Sequence, residues 1–182
     1  MDNNELIKEA LSYALGSDLH EAWRAPRKLE DGTFEPRIKK SKDEEWNSIH
    51  GTDEVDIANC KFEDLPSNWQ YENLEAARVA ISLVFDKAMA GEKLTEEEIE
   101  EKAAIIHEEW LKRNDWVFDP NYGDPNLAVP YEKLSEEEKA KDRAQLEPAT
   151  RKIQDYKDGL VDVDDICFKY HLEAESKAMQ LN

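Results

Sequence analysis

Apolar side chains recur at three- and four-residue spacings along most of the chain, the period of helices that bury one face. Leu6, Ala10, Tyr13 and Ala14 predict a helix from Asn4 to about Ser17, ended near Gly16. Asp18 then caps a second, short helix that holds His20 to Arg24 and is closed by Pro26. Residues 27–42 contain an Asp-Gly turn and Pro36 with no helical period, and read as a loop or ragged hairpin. Residues 43–65 look irregular, with a short helical piece around Trp46. Trp69, Asn73, Ala77, Ile81 and Phe85, widened by Val84, predict a long helix from Pro66 to about Ala90, stopped by Gly91. Thr95-x-x-Glu98 is a capping box, and Ile99, Ala103, Ile106 and Trp110 form the stripe of the helix it opens. Trp116 to Phe118 reads as a short extended piece, followed by a proline-rich loop to Pro130. Ser135-x-x-Glu138 opens a third long helix running to about Asp158. Asp162 to His171 forms a last short helix with Val163, Ile166, Cys167 and Tyr170 on one face, and the final ten residues read as frayed.

Part of this pattern occurs twice. His20-Glu-Ala-Trp23 recurs as His107-Glu-Glu-Trp110, and Phe62-Glu-Asp-Leu65 recurs as Tyr131-Glu-Lys-Leu134, each of the latter leading into a long helix. Within each copy His and Trp lie three apart on one helix face. The expected fold is therefore all-α, mainly helical with one short hairpin, built from two pseudo-symmetric helical halves, about residues 1–92 and 93–160, that form a cleft. Residues 161–182 would add a C-terminal short helix and tail.

Composition narrows the function classes. The 182 residues carry 24 Lys and Arg against 43 Asp and Glu, a net charge of −19. A polyanion or an anionic membrane surface would meet repulsion, so neither a nucleic-acid polymer nor a membrane is an expected partner. No apolar run approaches a bilayer span and the N-terminus lacks the pattern of a signal peptide, so the expected location is cytoplasmic. Cys60 and Cys167 are the only cysteines, which leaves neither a disulfide framework nor a zinc ligand set. Arg24 to Lys42 is the exception to the acidity, with seven basic side chains against three acidic. It is either a place where an anion would be welcome or a solvated loop whose charges balance acidic neighbours.

His107-x-x-Trp110, Trp116-x-Phe118, Val129-Pro-Tyr131-x-x-Leu134-Ser and Lys141-Asp142, with His20-Glu-Ala-x-Arg24 and Trp69-Gln upstream, resemble the Ryr domain. This is the repeat of the cytoplasmic part of ryanodine receptors, found also as small soluble proteins in bacteria and phages. The resemblance covers about residues 18–155 and makes 1–160 a Ryr-like helical domain. Asn114-Asp115 replaces the family's glycine before Trp116, Asp119 replaces a glycine after Phe118, and a His-Pro pair is missing before Leu127. These departures lie in a loop that would shape a pocket wall. The resemblance implies a binding module rather than an enzyme, one that takes a small anionic nucleotide-derived ligand and acts as a phage or mobile-element sponge for an immune signalling nucleotide. The alternative, from the charge, is an acidic inhibitor that imitates nucleic acid and blocks a host partner.

The residues allow three readings of the paired histidines. They could meet across the pseudo-twofold with Glu21 and Glu108 and hold a metal, although neither lies in an HExxH motif. Each imidazole could instead hydrogen-bond a helix end and pack on its Trp. The third reading, which we favour, is a ligand pocket lined by His20 and His107. Here Trp23, Trp69, Trp110, Trp116 and Tyr131 stack a planar base, Arg24, Arg27, Lys141 and Arg143 neutralise phosphate, and Asn73 and Asp142 hydrogen-bond base or ribose. No catalytic residue, metal or cofactor is expected: phosphate-binding glycine loops and nucleophile motifs are missing, and Pro120 and Pro130 spoil the calcium-loop look of the segment after Asp119. Homo-oligomerisation is expected from base rate alone.

Overall fold

The structure, a computed structural model, describes residues 2–173. It is mainly helical, with seven α-helices and one two-stranded antiparallel sheet among the described residues. The described chain divides into two compact units: a first of residues 2–77 with 163–173, and a second of residues 78–162.

In the first unit, α1 (Asn3–Arg24) opens with a capping box between Asp2 and Glu5 and runs without interruption through Gly16 and Asp18. The expected stop at Gly16 is corrected by packing. A Cβ there would lie 3.2 Å from the ring of Phe62, so the glycine makes room for an aromatic ring, and a helix of this length absorbs the small propensity cost. A 3₁₀ turn, Ala25–Arg27, follows. The Asp31-Gly32 turn closes a ragged hairpin through a bridge between Lys28 and Phe34. Strand β1 (Ile38–Lys40) pairs antiparallel with β2 (Glu54–Asp56), Lys39 opposite Val55. Between them lies α2 (Glu44–His50), the helical piece expected at Trp46. A 3₁₀ turn, Phe62–Asp64, leads into α3 (Ser67–Met89), within which the division between units falls. The core of this unit gathers Val55, Ile57, Phe62, Leu65 and Leu74. Helix α7 (Val163–Tyr170) also belongs here: the Tyr170 ring packs at a tilt with its centroid 4.4 Å from that of Tyr13, and Lys169 pairs with Glu63 at 2.6 Å. Val163, Ile166, Cys167 and Tyr170 are its half-buried residues, as their spacing predicts. The tail expected to fray lies, from residue 174 on, outside the described residues.

In the second unit the Thr95–Glu98 capping box opens α4 (Glu96–Arg113). Asp115–Phe118, expected to be extended, is a 3₁₀ turn. Its geometry follows from the loop behind it: Asp124 N–H donates to the Val117 carbonyl and Gly123 N–H to that of Asp119, and a side chain at Gly123 would collide with both carbonyls. A 3₁₀ turn at Tyr131–Lys133 precedes α5 (Glu136–Arg143) and α6 (Leu146–Lys157). One helix over 136–158 is expected, and the break at Ala144–Gln145 has a local cause. Pro148 lacks the N–H that would bond the Ala144 carbonyl and its ring clashes with it, so the helix restarts with Pro148 in its first turn. Ala103, Tyr131 and Leu134 pack with Leu127 and Val129 between α4 and the segment before α5.

Candidate functional site

The duplicated sequence builds the same local structure in each unit. His20 is 4% exposed, and its Nε2 lies 2.7 Å from the Cys60 carbonyl oxygen. His107 is also 4% exposed, with Nε2 2.8 Å from the Val129 carbonyl oxygen. Cys60 and Val129 each stand two residues before the aromatic residue of the second repeated motif. A carbonyl only accepts, so Nε2 carries the hydrogen in both rings. Each ring stacks on its own tryptophan: His20 on Trp23 with centroids 5.8 Å apart, His107 on Trp110 at 6.1 Å. In both copies the Leu65 or Leu134 N–H closes a turn on the aromatic residue's carbonyl. The reading in which each imidazole packs on its Trp and bonds backbone therefore describes these residues, the acceptor being a loop carbonyl and not a helix end. Among the described residues no three His, Cys, Asp or Glu side chains group as metal ligands.

Most of the cations expected to meet phosphate hold other parts of the chain. Arg24, 8% exposed, donates Nε–H to the Ala58 carbonyl at 2.8 Å and Nη1–H to Glu21 Oε1 at 2.6 Å, with its guanidinium 4.1 Å over the Phe34 ring. Arg27 donates to the Trp23 carbonyl at 2.9 Å and lies 4.2 Å over that indole. Arg143 bonds Glu100 at 2.9 Å and Glu136 at 3.2 Å, and Lys141 pairs with Glu138 at 2.8 Å. Burial, helped by the Arg24 charge, holds the His20 imidazole below its ordinary pKa against the Cys60 hydrogen bond. The Tyr131 hydroxyl, pushed up to about 12 by burial and by donating to Glu100, receives Arg143 at 3.4 Å. Trp69 donates Nε1–H to the Lys40 carbonyl, with Lys39 Nζ 5.9 Å over its ring, and Asn73 is half-buried one turn further along α3. Trp116 is 50% exposed, packed edge-on to Trp110 and bonded to Asn114.

Two cavities flank His107 in the second unit. One, of about 350 Å³, is lined by apolar groups of Ala104, Leu111, Phe118, Val129, Pro130 and Tyr131, with Glu108 and Glu132 as its acidic members. The other, of about 220 Å³, is bordered by Trp110, Leu127, Leu134, Glu138, Lys141 and Asp142. Asp142, 9% exposed, places Oδ2 3.6 Å from His107 Nδ1. Burial pushes its carboxyl up to about 6, opposed by the His107 charge and assisted by Glu138.

The sequence-derived site thus separates by unit. His20, Trp23, Arg24 and Arg27 cluster at the end of α1, whereas His107, Trp110, Lys141 and Asp142 surround the smaller cavity, and Tyr131 lines the larger one. Leu111 and Glu132 escaped the sequence reading, which names Glu108 only as a metal ligand and Phe118 only within the Ryr resemblance. Counting four residues on from each repeated histidine would have found Arg24 and Leu111 together. Compared with family models, with curated proteins and with solved structures, the chain matches none.

Proposed function

We propose that this chain is a non-catalytic recognition protein whose partner is basic, held in the second unit by the cavity beside His107. The disposition of charge carries the reading. Arg24, Arg27, Lys141 and Arg143 are each engaged within the chain, while Glu108 and Glu132 border the larger cavity with no hydrogen bond or ion pair among the described residues. An apolar pocket with a few convergent polar groups is the usual form of a binding site, and a net charge of −19 draws a basic partner to it. Calorimetric titration with Lys/Arg-rich peptides tests this. Saturable binding is expected, weakened at least tenfold in the Glu108→Gln/Glu132→Gln double variant. Absence of binding to every basic peptide would overturn it.

A second reading is the capture of a small nucleotide-derived anion, supported by the Ryr resemblance and by one feature of the first unit. Lys28, Arg37, Lys39 and Lys42 are exposed and have no carboxylate partner among the described residues, and Lys39 lies over the Trp69 ring. Under this reading the chain sequesters a signalling nucleotide. A thermal-shift panel of cyclic di- and trinucleotides, ADP-ribose and mononucleotides should then give a rise of several degrees that Trp69→Ala abolishes. A flat panel removes this reading and leaves the first.

A further inference from the structure

The two copies of the histidine module differ in what fills the space beside the histidine. In the first unit the fourth residue after His20 is Arg24, whose buried guanidinium bonds the Ala58 carbonyl and Glu21 beneath the ring of Phe34. Phe34 comes from the segment that follows α1. The register fixed by the two histidines and the two aromatic-Glu-x-Leu turns gives Arg24 and its two hydrogen-bond partners counterparts in the second unit. Glu108 stands for Glu21, Leu127 for Ala58 and Leu111 for Arg24. The segment that follows α4 likewise supplies an aromatic ring, Phe118, which lines the cavity and is 56% exposed.

The carboxylate and the aromatic ring of the guanidinium site thus recur at the larger cavity, as Glu108 and Phe118, whereas Leu127 borders the smaller one. A leucine stands where the arginine would be, and the larger cavity, about 350 Å³, opens beside it. The Glu108 carboxylate at this cavity receives no hydrogen bond among the described residues. Resting on the proposal of a basic partner, we infer that this cavity is a receptor for an arginine side chain of that partner, which pairs with Glu108 beside the Phe118 ring as Arg24 pairs with Glu21 beneath that of Phe34. A planar guanidinium fits better than an ammonium, because it stacks on an aromatic face while its fork of N–H donors meets a carboxylate. A phosphate would face Glu108 and Glu132 instead.

The test titrates the ¹⁵N-labelled full chain with an end-blocked Gly-Gly-Arg-Gly-Gly peptide and with its citrulline and lysine counterparts. The arginine peptide is expected to move the amide resonances of Ala104, Glu108, Leu111 and Val129, with citrulline at least tenfold weaker and lysine between them. Glu108→Gln should weaken the arginine peptide at least tenfold. Leu111→Arg supplies the guanidinium within the chain, and should raise Tm by several degrees and abolish peptide binding. Equal binding of arginine and citrulline peptides overturns the inference. Shifts confined to residues away from the cavity also overturn it while leaving a basic partner in place, and no shift with any basic peptide removes both.

Discussion

Asp142 is a carboxylate whose surroundings oppose its charge. It is buried, its Oδ2 lies 3.6 Å from His107 Nδ1, and burial pushes its pKa up to about 6 against an ordinary 3.8. Because the native pKa lies above the unfolded one, the folded chain holds the extra proton between about pH 4 and pH 6. Stability contributed by that proton is present below this window, declines as pH rises through it, and is gone above it. At about 1.4 kcal/mol per pKa unit, the charged carboxylate costs the fold roughly 2–3 kcal/mol at neutral pH. An amide escapes that cost and can donate to Nδ1, since Nε2 already carries the ring hydrogen. The repeat places Asn73 at the corresponding position of the other copy. Asp142→Asn should therefore raise stability by about 2 kcal/mol at pH 7.5 and flatten the dependence of Tm on pH between 4 and 6. Denaturant melts at both pH values check this, and a variant less stable than the parent at pH 7.5 would mean that attraction to His107 outweighs burial.

At the scale of elements, helices were legible wherever a periodic stripe met a cap. The Thr95–Glu98 box and the stripe through Ala77, Ile81, Val84 and Phe85 appear where the sequence puts them, with all four of those apolar residues buried. The failures fall on punctuation residues, one acting through its tertiary surroundings and one through local backbone sterics. Gly16 reads as a stop until Phe62 is known to lie against it, and Pro148 reads as tolerable until its effect on the Ala144 carbonyl is counted. The candidate site suffered in the same way. Aromatic and basic residues were visible, but whether an arginine is free or already bonded to a carbonyl 34 residues away is a property of the fold. Helix α7 belongs to the first unit for a reason its four-residue stripe only hints at, since Tyr170 packs on Tyr13 and Phe62 together. Tyr170→Ala strips both contacts from a half-buried position and should cost about 2 kcal/mol. Chemical denaturation of this variant beside Phe168→Ala, whose ring is 84% exposed, gives the comparison; equal effects would contradict the packing of α7 described above.

For the whole molecule the net charge of −19 sets how any partner arrives. Charges on the surface steer encounter over a distance set by salt, about 10 Å at 0.1 M ionic strength and shorter above it. A basic peptide approaching the Glu108 cavity is accelerated by the field of the whole chain, so raising the salt should slow its association while changing dissociation less. A nucleotide approaching Lys39 and Trp69 meets the opposite field. The local cations attract it, but the remaining charge repels it, and salt that screens the longer-range repulsion should leave its association rate unchanged or raise it. Stopped-flow association at 50 and 300 mM NaCl separates the cases wherever on the surface the ligand lands. For the arginine peptide a fall of roughly tenfold in the association rate is expected over this interval, of the size that electrostatic steering supplies. A rate for that peptide indifferent to salt would mean that the acidic surface takes no part in recognition, and that the cavity selects its occupant by shape alone.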